Sequence, residues 1–209
     1  MAFAAGALLA VPVSSQAAVV LTLQEVGSDV VLSMNAGGTV NTNSLVSQSS
    51  TSAVAGGIAN FHPAPVFILA LGSGSGYQQF LFPSSAISGP STLGSLYVPP
   101  TDATRSTGAL FRIGVQGGTT GSLNLPTGYN SGDPLGASSS TFAGANFATL
   151  GLTAGASYVW TFGTNPNTDT ITLNIGGGAA VPESASLLVP AMAISALGLV
   201  QLRRRSRRA

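Results

Sequence analysis

The sequence predicts an all-β fold: an antiparallel β-sandwich of jelly-roll or Greek-key-like type, followed by one C-terminal transmembrane helix. Three observations predict it. Short runs of Val, Ile, Leu and Phe alternate with Thr, Ser and Asn, as in strands with one buried face. Turn residues punctuate those runs about every ten positions, the rhythm of sandwiches and barrels. Charged residues make up only 6% of the chain, against about 25% in an average soluble domain, so no segment of the body carries the Glu/Lys face of a surface helix.

The elements follow in order. Residues 19–26 form a strand, Gly27-Ser28-Asp29 a turn, and residues 30–34 the second strand of a hairpin. Near the end of the body, residues 158–162, a loop at 163–167 and residues 170–175 form another hairpin. Its second strand alternates strictly, with Ile171, Leu173 and Ile175 on one face. Between them lie short strands at 66–71, 79–82, 93–98, 109–115, 122–125 and 146–152. The Ser/Thr/Gly/Asn-rich stretches 41–59 and 132–140 read as long loops or disorder. Residues 152–158, Leu-Thr-Ala-Gly-Ala-Ser-Tyr, resemble the tyrosine corner of Greek-key sandwiches, with one extra residue and no proline.

The 209 residues include no cysteine and one histidine, His62. Thiol-ligated zinc, iron–sulfur clusters, redox CxxC motifs and disulfide scaffolds are therefore excluded. There is no lysine, and five of the seven arginines lie in the last seven residues. Up to Ala180, Arg105 and Arg112 face five acids, Glu25, Asp29, Asp102, Asp133 and Asp169, a formal charge of −3. That body lacks the basic face nucleic-acid binding requires.

The two ends read as addresses. Residues 1–13 form an apolar run of the length of a secretory h-region, and Ser15 and Ala17 supply the small residues before a cleavage site. Residues 1–17 are thus expected to be a signal peptide with a truncated n-region. At the other end Val181-Pro182-Glu183-Ser184 precedes residues 185–202, which carry no charge, and then Arg203, Arg204, Arg205, Arg207 and Arg208. Eighteen helical residues span roughly 27 Å, close to a bilayer core of about 30 Å. The terminal arginines stay cytoplasmic by the positive-inside rule, which places residues 18–180 outside.

The order of motif (181–184), apolar span (185–202) and arginine-rich end (203–209) resembles the PEP-CTERM sorting signal of bacterial surface proteins, with Ser184 where that family usually has a second proline. The resemblance covers residues 181–209 only. It implies an exosortase-like processing enzyme as a partner, a membrane-anchored precursor, and delivery of the body to the cell surface or extracellular matrix, often alongside exopolysaccharide.

Catalytic chemistry is sparse. His62 sits in Phe-His-Pro-Ala-Pro, and Gly72-Ser-Gly-Ser-Gly76 has the letters of a nucleophile elbow without a helix after it. Glu25 and Asp29 bracket a hairpin turn and are expected to face water, and Asp102 and Asp133 fall in loops where Asx turns account for them. Asp169 lies among oxygen donors that calcium would accept, with a single carboxylate in reach. The expectation is no catalytic residue, no resident metal and no cofactor. Three readings follow: an exported, non-catalytic surface or matrix protein; a carbohydrate-binding module using Tyr77, Tyr97 and Tyr129 as stacking platforms; or an unprocessed single-pass anchored protein.

Overall fold

A computed structural model describes residues 18–50, 55–61, 66–83, 86–94, 98–116 and 120–176. The chain groups into two compact units, Met1–Gly178 and Ala179–Ala209, and every described residue lies in the first. The expected signal peptide, the sorting motif, the transmembrane helix and the terminal arginines fall outside the described residues. So do His62 and Tyr97. Among the described residues no helix is long and apolar enough to cross a membrane.

Fourteen strands appear in order: β1 (Ala18–Val26), β2 (Asp29–Met34), β3 (Val46–Ser50), β4 (Gly57–Phe61), β5 (Val66–Leu71), β6 (Tyr77–Phe82), β7 (Ile87–Ser88), β8 (Val98–Asp102), β9 (Arg105–Thr107), β10 (Phe111–Gln116), β11 (Thr120–Pro126), β12 (Ser138–Phe142), β13 (Ser157–Phe162) and β14 (Asp169–Ile175). They build two sheets of seven, ordered β7-β13-β14-β1-β2-β12-β9 and β3-β6-β11-β10-β5-β4-β8. The described pairings are antiparallel apart from one. β1 and β14 run parallel at the centre of the first sheet, from Ala18 opposite Thr170 to Leu23 opposite Ile175. The chain therefore enters β1 at one end of this sheet and leaves β14 at the other.

Alternation decides which face is buried. Leu21, Leu23, Leu32, Ile171, Leu173 and Trp160 of the first sheet are fully buried, as are Phe67, Leu69, Phe111, Ile113 and Leu123 of the second. The two inner faces meet through Phe67 on Trp160, with centroids 4.8 Å apart, and Phe82 near Phe162 at 5.5 Å. Val26 pairs with Asp29 across a two-residue turn whose Gly27 has φ +64°, a conformation a side chain would strain.

Both expected hairpins are present, as β1–β2 and β13–β14. Four local readings are corrected. Residues 93–94 lie outside any strand, with Leu93 fully buried, and β8 begins only at Val98. Residues 146–152 form consecutive turns: the Asn146 carbonyl accepts from the Leu150 N–H at 3.1 Å, and its side chain accepts from the Thr149 N–H at 2.8 Å. That local bonding competes with a ladder. The stretches 41–59 and 132–140 hold β3, the start of β4 and the start of β12. In β12, small hydroxyls replace apolar side chains on the inner face: Ser140 is fully buried and shares a 3.1 Å hydrogen bond with Ser106.

Candidate functional site on the outer face of the second sheet

The five body acids separate into two groups. Four are bound to backbone N–H groups of loops. Glu25 accepts from Phe147 at 2.7 Å, and Asp29 from Gly144 at 3.0 Å. Both therefore hold the 143–147 loop against the first hairpin instead of simply facing water. Asp133 accepts from the Asn130 N–H, three residues earlier, at 2.9 Å, which closes its loop by a reach back and not by the expected Asx turn. Asp169 is 1% exposed and accepts from the N–H groups of Asn41 and Thr170, both at 2.7 Å.

Asp169 belongs to a polar knot that ties loops 35–45, 127–135 and 163–168 at one end of the first sheet. Asn41 Oδ1 accepts from the Asn43 N–H and the Ser131 hydroxyl, and Ser131 in turn accepts from the Thr42 N–H. Tyr129 closes the knot. Its hydroxyl accepts from the Val40 N–H at 2.7 Å, and its proton lies between the carbonyls of Asp133 (2.9 Å) and Val40 (3.1 Å). The Asp169 oxygens are thus taken up by N–H donors, and no group of three His, Cys, Asp or Glu side chains gathers among the described residues.

Burial raises the Asp169 pKa above the ordinary carboxylate value, against the opposing pull of the Asn41 and Thr170 N–H groups. A raised acid pKa means that the folded state holds the proton more tightly than the unfolded chain. The contribution is fully present below the unfolded value of about 4 and is lost as pH rises through the raised value. Melting temperature should therefore fall across that window, and Asp169→Asn, which cannot ionise, should flatten the fall. Equal slopes in the two proteins would contradict this assignment.

The side chain of Asp102, the fifth acid, makes no hydrogen bond among the described residues, and neither does that of Arg112. Register places both on one row across the outer face of the second sheet. Asp102 pairs with Gly57, Gly57 with Ala70, Ala70 with Arg112, Arg112 with Asn124, Asn124 with Gln79, and Gln79 with Gln48. Residues directly opposite each other share a face, and Arg112 alternates with buried Phe111 and Ile113, so the row points away from the core.

A cavity of about 280 Å³ opens on this row, with Gly57, Ala70 and Ile68 beneath it and Asp102 and Arg112 lining it. Three strand spacings of about 4.8 Å put the backbones of β8 and β10 roughly 14 Å apart. Gly57 keeps the floor low, since a Cβ there would lie 3.2 Å from the Thr101 carbonyl and 3.6 Å from Asp102 Oδ1. Beside Arg112, the side chain of Asn124 is fully buried and neither of its amide atoms has a hydrogen-bond partner. Such an orphaned group costs about 1–3 kcal/mol.

Of the tyrosines expected to hold sugar, Tyr77 and Tyr129 are not brought together. Tyr77 is half-buried at the start of β6, in the same outer face as Gln79, and Tyr97 is outside the described residues. Tyr129 is corrected: it is 8% exposed, its ring packs edge-on against Phe80 at 6.4 Å, and its hydroxyl is bound to backbone. Burial raises its pKa, and the nearby Asp133 and Asp169 add to this, although the Val40 bond acts the other way. The tyrosine corner expected at Tyr158 is also corrected. That ring stacks on Trp160 at 6.2 Å and 13°, and its hydroxyl has no hydrogen bond among the described residues. Tyr129 is the phenol that bonds backbone across loops.

The sequence reading missed Arg112 and Asn124 as parts of a site, and named Gln79 only beside Tyr77. One signal was available. β5 reads Val-Phe-Ile-Leu-Ala-Leu without alternation, as a strand covered on both faces does, and Ile68 and Ala70 lie on its outer side at the cavity. Comparison with protein-family models, curated proteins and solved structures finds no match for this chain.

Proposed function

We propose that this chain is an exported bacterial surface or extracellular-matrix protein, non-catalytic, carrying an exosortase-type sorting signal at residues 181–209. The observation that carries the reading is the order of Val181-Pro182-Glu183-Ser184, an uncharged span of bilayer length, and a terminal run of arginines. The apolar run before Ser15 and Ala17 points independently to export. Its precursor is anchored in the inner membrane by residues 185–202 and is the substrate of an exosortase-like enzyme. The body is then released to the surface or matrix.

One feature of the body supports the non-catalytic part. Glu25, Asp29, Asp133 and Asp169 each hold a loop N–H, so each already serves the fold. We read the two sheets as a Greek-key or jelly-roll-like sandwich, because the chain changes sheet between β2 and β3, at each step from β6 to β10, and between β11 and β12.

Intact mass of the protein recovered from the outer surface of its host tests the reading. The expected species begins at Ala18 and ends near 182–184. A species that keeps Arg203 to Arg208 and occurs only in membranes overturns the sorting step and leaves a single-pass anchored protein.

A further inference from the structure

We infer that the cavity between Asp102 and Arg112 is a binding site for a monocarboxylated sugar ring, a uronate presented within a saccharide chain. The inference goes beyond the export reading and uses none of its steps.

The polarity of the site selects the ligand. Arg112 is half-buried, lines the cavity and has no acid or hydrogen-bond acceptor among the described residues. A guanidinium so placed is a ready bidentate partner for a carboxylate. Asp102 stands on the far wall and accepts no hydrogen bond from the described residues. It can take protons from hydroxyls and repels a second negative charge. The ligand is therefore anionic at one end and rich in hydroxyls at the other. Between the walls, Gly57, Ala70 and Ile68 offer a low, mostly apolar floor, which suits the C–H face of a ring.

Size limits it further. About 280 Å³ lies just below the usual range for small-molecule pockets, roughly 300–1,000 Å³. One ring fits, with its neighbours running out over the open face. Beyond Arg112 and the buried Asn124 the row continues as Gln79 and Gln48, amides that donate and accept at once and so match sugar hydroxyls, although the Gln79 amide also donates to the Ser122 hydroxyl.

Titration calorimetry of the full-length protein with a galacturonate oligomer of three to five rings tests the inference. Binding is expected, weakening at least tenfold in Arg112→Met, which keeps the apolar stem and removes the charge. Gly57→Ala, which raises the floor and sets a methyl group against Asp102, is expected to weaken binding while leaving the Arg112 charge in place. A neutral glucose oligomer of the same length should bind at least tenfold more weakly than the uronate, and so should a glutamate-rich peptide. Four results would each overturn the inference: no heat with the uronate at millimolar concentration, equal binding of the neutral sugar, equal binding of the acidic peptide, or uronate binding that survives in Arg112→Met and so belongs to the arginines at 203–208. Circular dichroism of each variant separates a lost site from a lost fold.

Discussion

Replacing Trp160 with alanine is expected to remove a large share of the stability of the domain. The side chain is fully buried, packs on Phe67 across the two sheets and on Tyr158 along its own strand, and donates its indole N–H to the Pro90 carbonyl at 2.7 Å. Large aromatic-to-alanine changes in a core cost about 3–5 kcal/mol, and a domain of this size has only about 5–15 kcal/mol in total. Trp160→Phe keeps the ring contacts and loses the hydrogen bond, so it should cost less, about 1–3 kcal/mol. Trp160 is the only tryptophan, so urea melts must be followed by circular dichroism. An alanine variant within about 1 kcal/mol of the parent would mean that the inter-sheet packing on Phe67 contributes little.

Ending the chain at Thr168 should abolish cooperative folding, whereas ending it at Gly178 should leave a cooperative transition. The difference is β14. It pairs with β1 on one side and β13 on the other and brings Ile171, Leu173 and Ile175 into the core, all fully buried. Burying three such side chains stabilises by roughly 5–9 kcal/mol, as much as the whole margin of a typical domain. Calorimetric scans of the two truncated chains make the comparison. A sharp transition in the shorter one would show that the first sheet closes without its central strand.

The two hairpins were legible because their register is local and their alternation clean: Ile171, Leu173 and Ile175 point inward with Thr and Asn between them. β3 and β12 were not legible. Val-Ser-Gln-Ser-Ser and Ser-Ser-Ser-Thr-Phe carry no apolar period, and β12 is set in place by serine hydroxyls that pair across strands, Ser140 with Ser106 and Ser139 with Thr107. The candidate site was hidden for a related reason. Asp102 and Arg112 are ten residues apart in the chain, yet on the sheet they are joined through β4 and β5, a register that only the folded ladders fix. Tyr129 was misplaced because an aromatic beside Gly and Asn in a loop carries no sign of burial. Its partners Val40 and Asp133 come from two different loops.

The parallel pairing of the first and last strands also determines how the domain responds to tension. A pull at residue 18 and at residue 176 acts along β1 and β14 in opposite directions, so the ladder between them is loaded in shear. Six register pairs, from Ala18 with Thr170 to Leu23 with Ile175, then resist together. A hairpin pulled from its open end would instead unzip one pair at a time. Tethered at both ends, this domain would meet stretching with its strongest geometry, and its yield point would rest on the β1–β14 ladder before any other part of the fold.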